Sequence, residues 1–270
     1  MPIKMATLQL AGCAGCHLSL LDALKDLPEL VSKDAVQILY SHMLMDAKDL
    51  KENVDLLIVE GGILKTDEEE ILLKFASKAT KVFALGACAC YRGIAAQGNF
   101  IPREELLEQY YVKQNPGLKN KIPTDDLPEY FEFFHGIDGT VEVHYSLLGC
   151  PPDPTELRDA IFDIINGKEP SMTTKIVCDE CPRKRNKDPA QASLEPVKRL
   201  ISIIPDEDNC FVDQGLICMG HATRAGCGAK CPKAGYPCEG CLGPAIKWRE
   251  VAPNDLATFT KRLASQPGNI

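Results

Sequence analysis

Thirteen cysteines fall into three sets along this chain, and each set could supply four thiolates to one iron–sulfur cluster. The first set is dispersed: Cys13 and Cys16, then Cys88 and Cys90, then Cys150, each in a turn containing glycine. The second is Cys178, Cys181, Cys210 and Cys218, and the third is Cys227, Cys231, Cys238 and Cys241. Twelve thiols would hold three clusters and leave one over. Three clusters in a row would form a wire for electrons.

A cysteine-rich chain is usually a secreted disulfide scaffold or an intracellular metal protein. The opening residues Met1–Ala6 carry no apolar signal core and no twin arginine. No stretch approaches the roughly 20 apolar residues of a membrane span. A cytoplasmic location is therefore expected, where thiols stay reduced and bind metal. A chain of 270 residues needs no disulfides to build a core. The formal net charge of −8 argues against nonspecific binding to nucleic acid or anionic membrane. The basic run from Arg183 to Lys187 reads as a solvated patch.

The elements that must position these thiols alternate between strand and helix. Leu8–Ala11 is a short apolar run, and Leu18, Leu20, Leu21 and Leu24 follow the first cysteine pair at helical spacing. Ala35–Tyr40 and Val54–Val59 are strand candidates. In the second of these, four consecutive apolar residues follow Asp55, as in a strand buried on both faces. Thr66-Asp67-Glu68-Glu69 reads as a capping box opening a helix with Ile71, Leu72 and Phe75 on one face. Val82–Leu85 and Val141–Leu148 are further strands. Thr155–Asn166 has helical periodicity and is closed by Gly167. Residues 98–135 interrupt the pattern as an insertion, with short helices expected around Glu104–Tyr111 and Glu129–Phe134.

This alternation predicts an α/β domain over 1–167, a flavodoxin-like parallel sheet whose active groups gather outside the carboxyl ends of its strands. Cys13/Cys16, Cys88 and Cys150 each directly follow a predicted strand. Four thiolates far apart in sequence thus converge on one sheet edge. Cys90 best fits a small buried core residue. From 168 to 270 the long apolar runs nearly disappear, and metal would supply the organising interactions of a C-terminal domain with little regular structure. Cys178-Asp179-Glu180-Cys181 and Cys238-Glu239-Gly240-Cys241 have ligand-knuckle spacing. Two structural zincs would satisfy these eight cysteines as well as two iron–sulfur clusters would. Two points tip the balance mildly towards iron: no histidine stands at ligand spacing, and zinc leaves the sheet-edge quartet unexplained.

Over nearly its full length the chain resembles the small subunit of NiFe hydrogenases. Gly12-Cys13-Ala14-Gly15-Cys16, Gly86-Ala87-Cys88-Ala89-Cys90-Tyr91 and Gly149-Cys150-Pro151-Pro152 match that family's proximal-cluster motifs in order and spacing. The resemblance implies a proximal 4Fe–4S cluster on Cys13, Cys16, Cys88 and Cys150, with Cys90 spare. It implies a medial cluster on Cys227, Cys231, Cys238 and Cys241. Cys231 stands near a position where many relatives have proline, so a full 4Fe–4S cubane is expected there. It implies a distal 4Fe–4S cluster on Cys178, Cys181, Cys210 and Cys218, with Cys178 at the family's histidine position. Within the family, Cys-Asp-Glu-Cys-Pro-Arg and the all-cysteine sets look like the cytoplasmic type of methanogens. The nearest likeness is the methyl-viologen-reducing hydrogenase that passes electrons to heterodisulfide reductase.

The implied partners are a NiFe large subunit, which splits dihydrogen, and a downstream acceptor protein carrying a 2Fe–2S centre or flavin, such as a heterodisulfide reductase complex. This chain would conduct electrons between them through three 4Fe–4S clusters and carry no catalytic nucleophile. His17 stands where relatives often have glutamate beside the proximal cluster. Proton transfer by His17 or by Glu60 is one role, but a structural role is the expectation for each. His221 is a candidate donor to a cluster sulfur rather than a ligand. A sulfhydrogenase passing electrons to NADP shares the cysteine plan. A quinone-reductase subunit needs one cluster only, so the eight C-terminal cysteines count against it. A zinc-organised interaction module is the reading from a different class.

Overall fold

The computed structural model describes residues 2–24, 36–115, 117, 122–171, 173–186 and 197–245. Its packing divides into two units, Met1–Ser171 and Met172–Ile270.

The first unit is an α/β sheet domain. In chain order its elements are β1 (Ile3–Gln9), α1 (Gly15–Leu24), β2 (Val36–Ser41), β3 (Val54–Glu60), β4 (Ile63–Lys65), α2 (Thr66–Ala76), β5 (Ala79–Leu85), α3 (Gly86–Tyr91), α4 (Arg103–Leu107), β6 (Tyr130–His135), β7 (Tyr145–Leu147) and α5 (Pro154–Ile165). Five strands form one sheet in the order β2-β1-β3-β5-β7, with every pairing parallel. Counting only these strands, the order is 2-1-3-4-5, the flavodoxin-like winding. It reverses direction between β1 and β3.

Alternation along the central strands explains why helices cover both faces. Ala6 and Leu8 of β1, Leu57 and Val59 of β3, and Val82 and Ala84 of β5 pack on one face with Leu72 and Phe75 of α2. Met5, Leu56, Ile58, Phe83 and Leu85 point to the other face, against Leu20 and Ala23 of α1 and Leu157, Ile161 and Ile164 of α5. Side chains in a strand alternate with period two, so a run such as Leu56-Leu57-Ile58-Val59 must be apolar throughout to fill both layers. Asp153 caps α5 by accepting from the Thr155 amide at 3.0 Å, with Pro154 opening the helix.

Three local expectations change and one is extended. The Glu68 carboxylate does close the start of α2, but it accepts from the Leu64 and Lys65 amides at 2.8 and 2.9 Å, so the cap sits one residue before Thr66. The strand expected at Val141–Leu148 pairs only at Tyr145–Leu147. The chain leaves the turn Ile137–Gly139 through a Val141 amide bond to the Ile137 carbonyl at 3.1 Å, which delays pairing. In the insertion, Glu104–Tyr111 is helical as α4 and passes into a wider π-type turn over Glu108–Lys113. Glu129–Phe134 is not a helix: β6 runs antiparallel to β4. The aromatic run Tyr130, Phe131, Phe133 and Phe134 suits a half-buried pleated surface, and β4 offers it a backbone edge. Ala35 and Lys187 lie outside the described residues.

The second unit holds little regular structure among its described residues: α6 (Val177–Glu180), α7 (Lys230–Lys233), single helical turns and isolated bridges such as Ile176 with Arg224. Val177, Ala229 and Cys238 form a small apolar nucleus, with Cys181, Cys218 and Cys227 packed on it. The cysteines are part of what packing this unit has. Among the described residues no helix is long and apolar enough to cross a membrane.

Candidate metal centres

The loops that follow β1, β5 and β7 meet at one edge of the sheet. Cys13 and Cys16 lie at the start of α1, Cys88 lies in α3, and Cys150 lies just after β7. Hydrogen bonds hold these loops together. The Ala87 amide donates to the Gly149 carbonyl at 2.7 Å, and the Ser19 hydroxyl donates to the Pro152 carbonyl at 2.6 Å. The Leu10 amide donates to the Glu60 carbonyl at 2.8 Å, tying the first loop to the end of β3. Thiols separated by up to 137 residues therefore share one neighbourhood.

Their electrostatics shows the convergence. Burial pushes the Cys16 thiol far up, and Glu60, Cys88, Cys13 and Cys150 push it further. Cys88 is raised by burial, then by Cys150 and Cys13, and Cys150 is raised by burial and by Cys13. Each of the four sulfurs faces at least two of the others. Gly86 makes the approach possible. Its φ is +86°, and a Cβ built there would lie 2.2 Å from the Cys16 sulfur.

Cys90 faces away from this group. Its sulfur donates towards the Ala84 and Leu147 carbonyls at 3.3 and 3.6 Å, and its side chain packs on the core face that holds α2. Replacing Cys90 with alanine is expected to leave the iron content of the purified complex unchanged. It should cost the fold about 1 kcal/mol through lost packing. Iron analysis and thermal unfolding of the variant check both.

Glu60 and His17 form one unit. Glu60 ends β3 with 2% of its surface exposed, and His17 is 3% exposed. The Glu60 carboxylate accepts from the Cys16 amide at 3.1 Å and the His17 amide at 2.8 Å, and it also pairs with the His17 ring Nδ1. Burial opposes ionisation of this carboxyl. The His17 side chain and the two amides outweigh burial and hold the carboxyl below the usual glutamate range. The imidazole Nε2 is buried with no hydrogen-bond partner. Sequence reasoning considered the two residues separately. Their pairing depends on β1 and β3 being neighbours, which no local pattern states.

In the second unit, Cys178 faces Cys218, Cys210 and Cys181. Burial first, and then these sulfurs, push its thiol up to about 12. Cys218 is likewise raised, chiefly by burial. Cys231 is raised by burial and then by Cys238 and Cys227. Cys241 is exposed, three residues beyond Cys238. The His221 Nδ1 faces the Cys218 carbonyl at 3.2 Å.

These donors fit iron–sulfur clusters. Crowded, desolvated thiols resist ionising on their own, and a cationic iron core offsets both burial and mutual repulsion. Among the described residues, no three His, Cys, Asp or Glu side chains close in tightly enough to hold a single metal ion.

Comparison with known proteins agrees with this chemistry. The family NADH ubiquinone oxidoreductase, 20 Kd subunit, matches residues 13–164. A subunit of the F420-non-reducing hydrogenase of Methanocaldococcus jannaschii is 41% identical over 252 residues, covering 93% of this chain and 85% of that protein. The delta subunit of sulfhydrogenase 2 of Pyrococcus furiosus is 29% identical over 250 residues, covering 90% of this chain and 87% of that protein. In the crystal structure of the NAD+-reducing NiFe-hydrogenase in the H2-reduced state, one chain superposes with a TM-score of 0.58 at 34% identity, covering 64% of this chain and 96% of that chain. The family match ends before the eight crowded cysteines, but the 252-residue match is too long to omit the second unit. The chain belongs to the NADH ubiquinone oxidoreductase 20 Kd subunit family, as the electron-transferring small subunit of a NiFe hydrogenase.

Proposed function

We propose that this small subunit conducts electrons from dihydrogen oxidation at a partner large subunit through three 4Fe–4S clusters. The clusters would lie on Cys13/Cys16/Cys88/Cys150, on Cys227/Cys231/Cys238/Cys241 and on Cys178/Cys181/Cys210/Cys218. A bound cubane supplies reversible one-electron chemistry. The residues of this chain hold it, shield it and set its surroundings. The observation that carries the reading is the convergence of Cys13, Cys16, Cys88 and Cys150 on one sheet edge beside a bare Gly86. Leu18 of α1, and Ile94 and Phe100 in the segment after α3, are exposed apolar side chains that follow the Cys16 and Cys88 loops in sequence. They suit burial against the large subunit that this edge would face.

The acceptor proposed is a heterodisulfide reductase complex entered through a 2Fe–2S or flavin protein, as the motif resemblance implies; similarity to a subunit of a hydrogenase named as F420-non-reducing supports an acceptor other than F420. A second reading is a sulfhydrogenase-type small subunit, to which this chain is also similar, and under it we propose that electrons leave through a flavin protein towards NADP. The subunits that copurify separate the two. Location in the cytoplasm is part of the same proposal.

Purification without oxygen, with partners bound, is expected to give about 12 irons per copy of this chain, from three cubanes, and one nickel per large subunit. A colourless preparation with about two zincs and little iron would overturn the proposal in favour of a zinc-organised module.

A further inference from the structure

Glu180 and Arg183 of the Cys178-Asp179-Glu180-Cys181-Pro182-Arg183 motif do not serve their own knuckle alone. The Glu180 carboxylate reaches the loop of the other set, accepting from the Gly226 amide at 3.0 Å and the Gly228 amide at 2.9 Å, the two residues that flank Cys227. Asp179, beside it, turns inward and accepts from the Ile176 amide at 2.9 Å, closing the first turn of α6. The two adjacent carboxylates thus hold different loops.

Arg183 spans the same pair of sets. Its Nε donates to the Pro232 carbonyl at 3.1 Å, next to Cys231, and its Nη1 donates to the Asn209 carbonyl at 3.2 Å, next to Cys210. The guanidinium stacks 3.9 Å over the ring of Phe211, which is 1% exposed. This fixes the plane of its donors. A third link runs the other way. The Cys238 amide donates to the Cys218 sulfur at 3.3 Å, and the Met219 amide returns a bond to the Cys238 carbonyl at 2.8 Å. Each set of cysteines is therefore held partly by residues belonging to the other.

We propose that Glu180 and Arg183 are positioning residues that latch the two C-terminal cluster sites together, so that the Cys227 site takes its ligand geometry from the Cys178 knuckle. This rests on the reading that both sets bind clusters. A carboxylate accepting from two amides makes strong charge-assisted bonds, and the apolar nucleus available to hold the Cys227 loop otherwise is small. Iron–sulfur properties respond to hydrogen bonding and to ligand placement, so the latch sets the environment of a cluster that its own residues do not ligate.

The test uses the complete complex, purified without oxygen, with iron analysis and redox titration followed by EPR. Cys227→Ser and Cys210→Ser assign the two signals. Glu180→Ala is expected to perturb or abolish the signal assigned through Cys227, with loss of up to about four irons per chain, and to retain the signal assigned through Cys210. Glu180→Gln keeps the side chain's size but turns an NH2 towards one of the two amide donors. It should shift the Cys227 signal without loss of iron, and it keeps the test open if the alanine variant does not accumulate. Asp179→Asn is expected to affect the Cys210 signal only. The proposal is overturned if Glu180→Gln leaves the Cys227 signal as in the wild type, or if Glu180 and Asp179 variants both disturb the Cys210 signal alone. If Cys227→Ser changes neither iron nor spectrum in an otherwise wild-type complex, the cluster assignment fails instead.

Discussion

Replacing Gly86 with alanine is expected to remove one whole cluster, lowering iron by about four per chain and eliminating electron transfer out of the large subunit. Two causes act together. The backbone at Gly86 has φ of +86°, and holding an L-residue in the left-handed region costs about 1–2 kcal/mol. The larger cause is steric. The new methyl carbon would lie 2.2 Å from the Cys16 sulfur, well inside van der Waals contact, so a proposed ligand must move or the loop must open. The Gly149 carbonyl oxygen, 3.5 Å from the same carbon, further limits where the methyl can go. Gly98→Ala is the matched control, since its methyl would meet only the Leu106 side chain at 3.7 Å. Iron analysis and EPR of both variants decide the matter. A full iron complement in Gly86→Ala would refute the placement of the sheet-edge cluster.

Glu60→Ala is expected to destabilise the first unit by about 3–5 kcal/mol, because several buried polar atoms lose their acceptor at about 1–3 kcal/mol each. Glu60 satisfies the Cys16 and His17 amides at the start of α1 and faces His17 Nδ1. Without it, three polar atoms at the start of α1 lose the acceptor that the end of β3 supplies. For a unit of this size the loss corresponds to roughly 6–20 °C in thermal midpoint. Glu60→Gln keeps one oxygen and should fall between the two. Scanning calorimetry of the intact complex provides the comparison, and a midpoint within 2 °C or so of wild type for Glu60→Ala would reject the argument.

The sheet and its reactive edge were readable because they follow from one-dimensional patterns. Leu56–Val59 needs both faces covered, which implies a parallel sheet. A cysteine directly after such a run lands at a strand's carboxyl end. That rule predicts Cys13, Cys16, Cys88 and Cys150 on one edge; Cys90 was set apart by its fit to a small core position and by the family resemblance. What stayed hidden involved partners chosen by the fold. His17 and Glu60 are 43 residues apart, and only the adjacency of β1 and β3 joins them. The run Tyr130–His135 fits helical and strand spacing alike. Its outcome depends on β4, a three-residue strand too short to leave a pattern. Glu180 reaches Gly228 across 48 residues of a segment with no periodicity to read.

One consequence of the Glu60 contact concerns what this architecture excludes. In flavodoxin-like sheets the crevice between the first and third strands is where a phosphate settles on the free amides of a helix N-terminus. Here the corresponding amides, those of Cys16 and His17, are already occupied by a carboxylate from the neighbouring strand. An incoming phosphate would find these two amides taken and would meet a like charge. The nucleotide seat of the fold is filled from within. The carboxylate of Glu60 thus takes, inside the chain, the place that a phosphate takes in nucleotide-binding relatives of this winding.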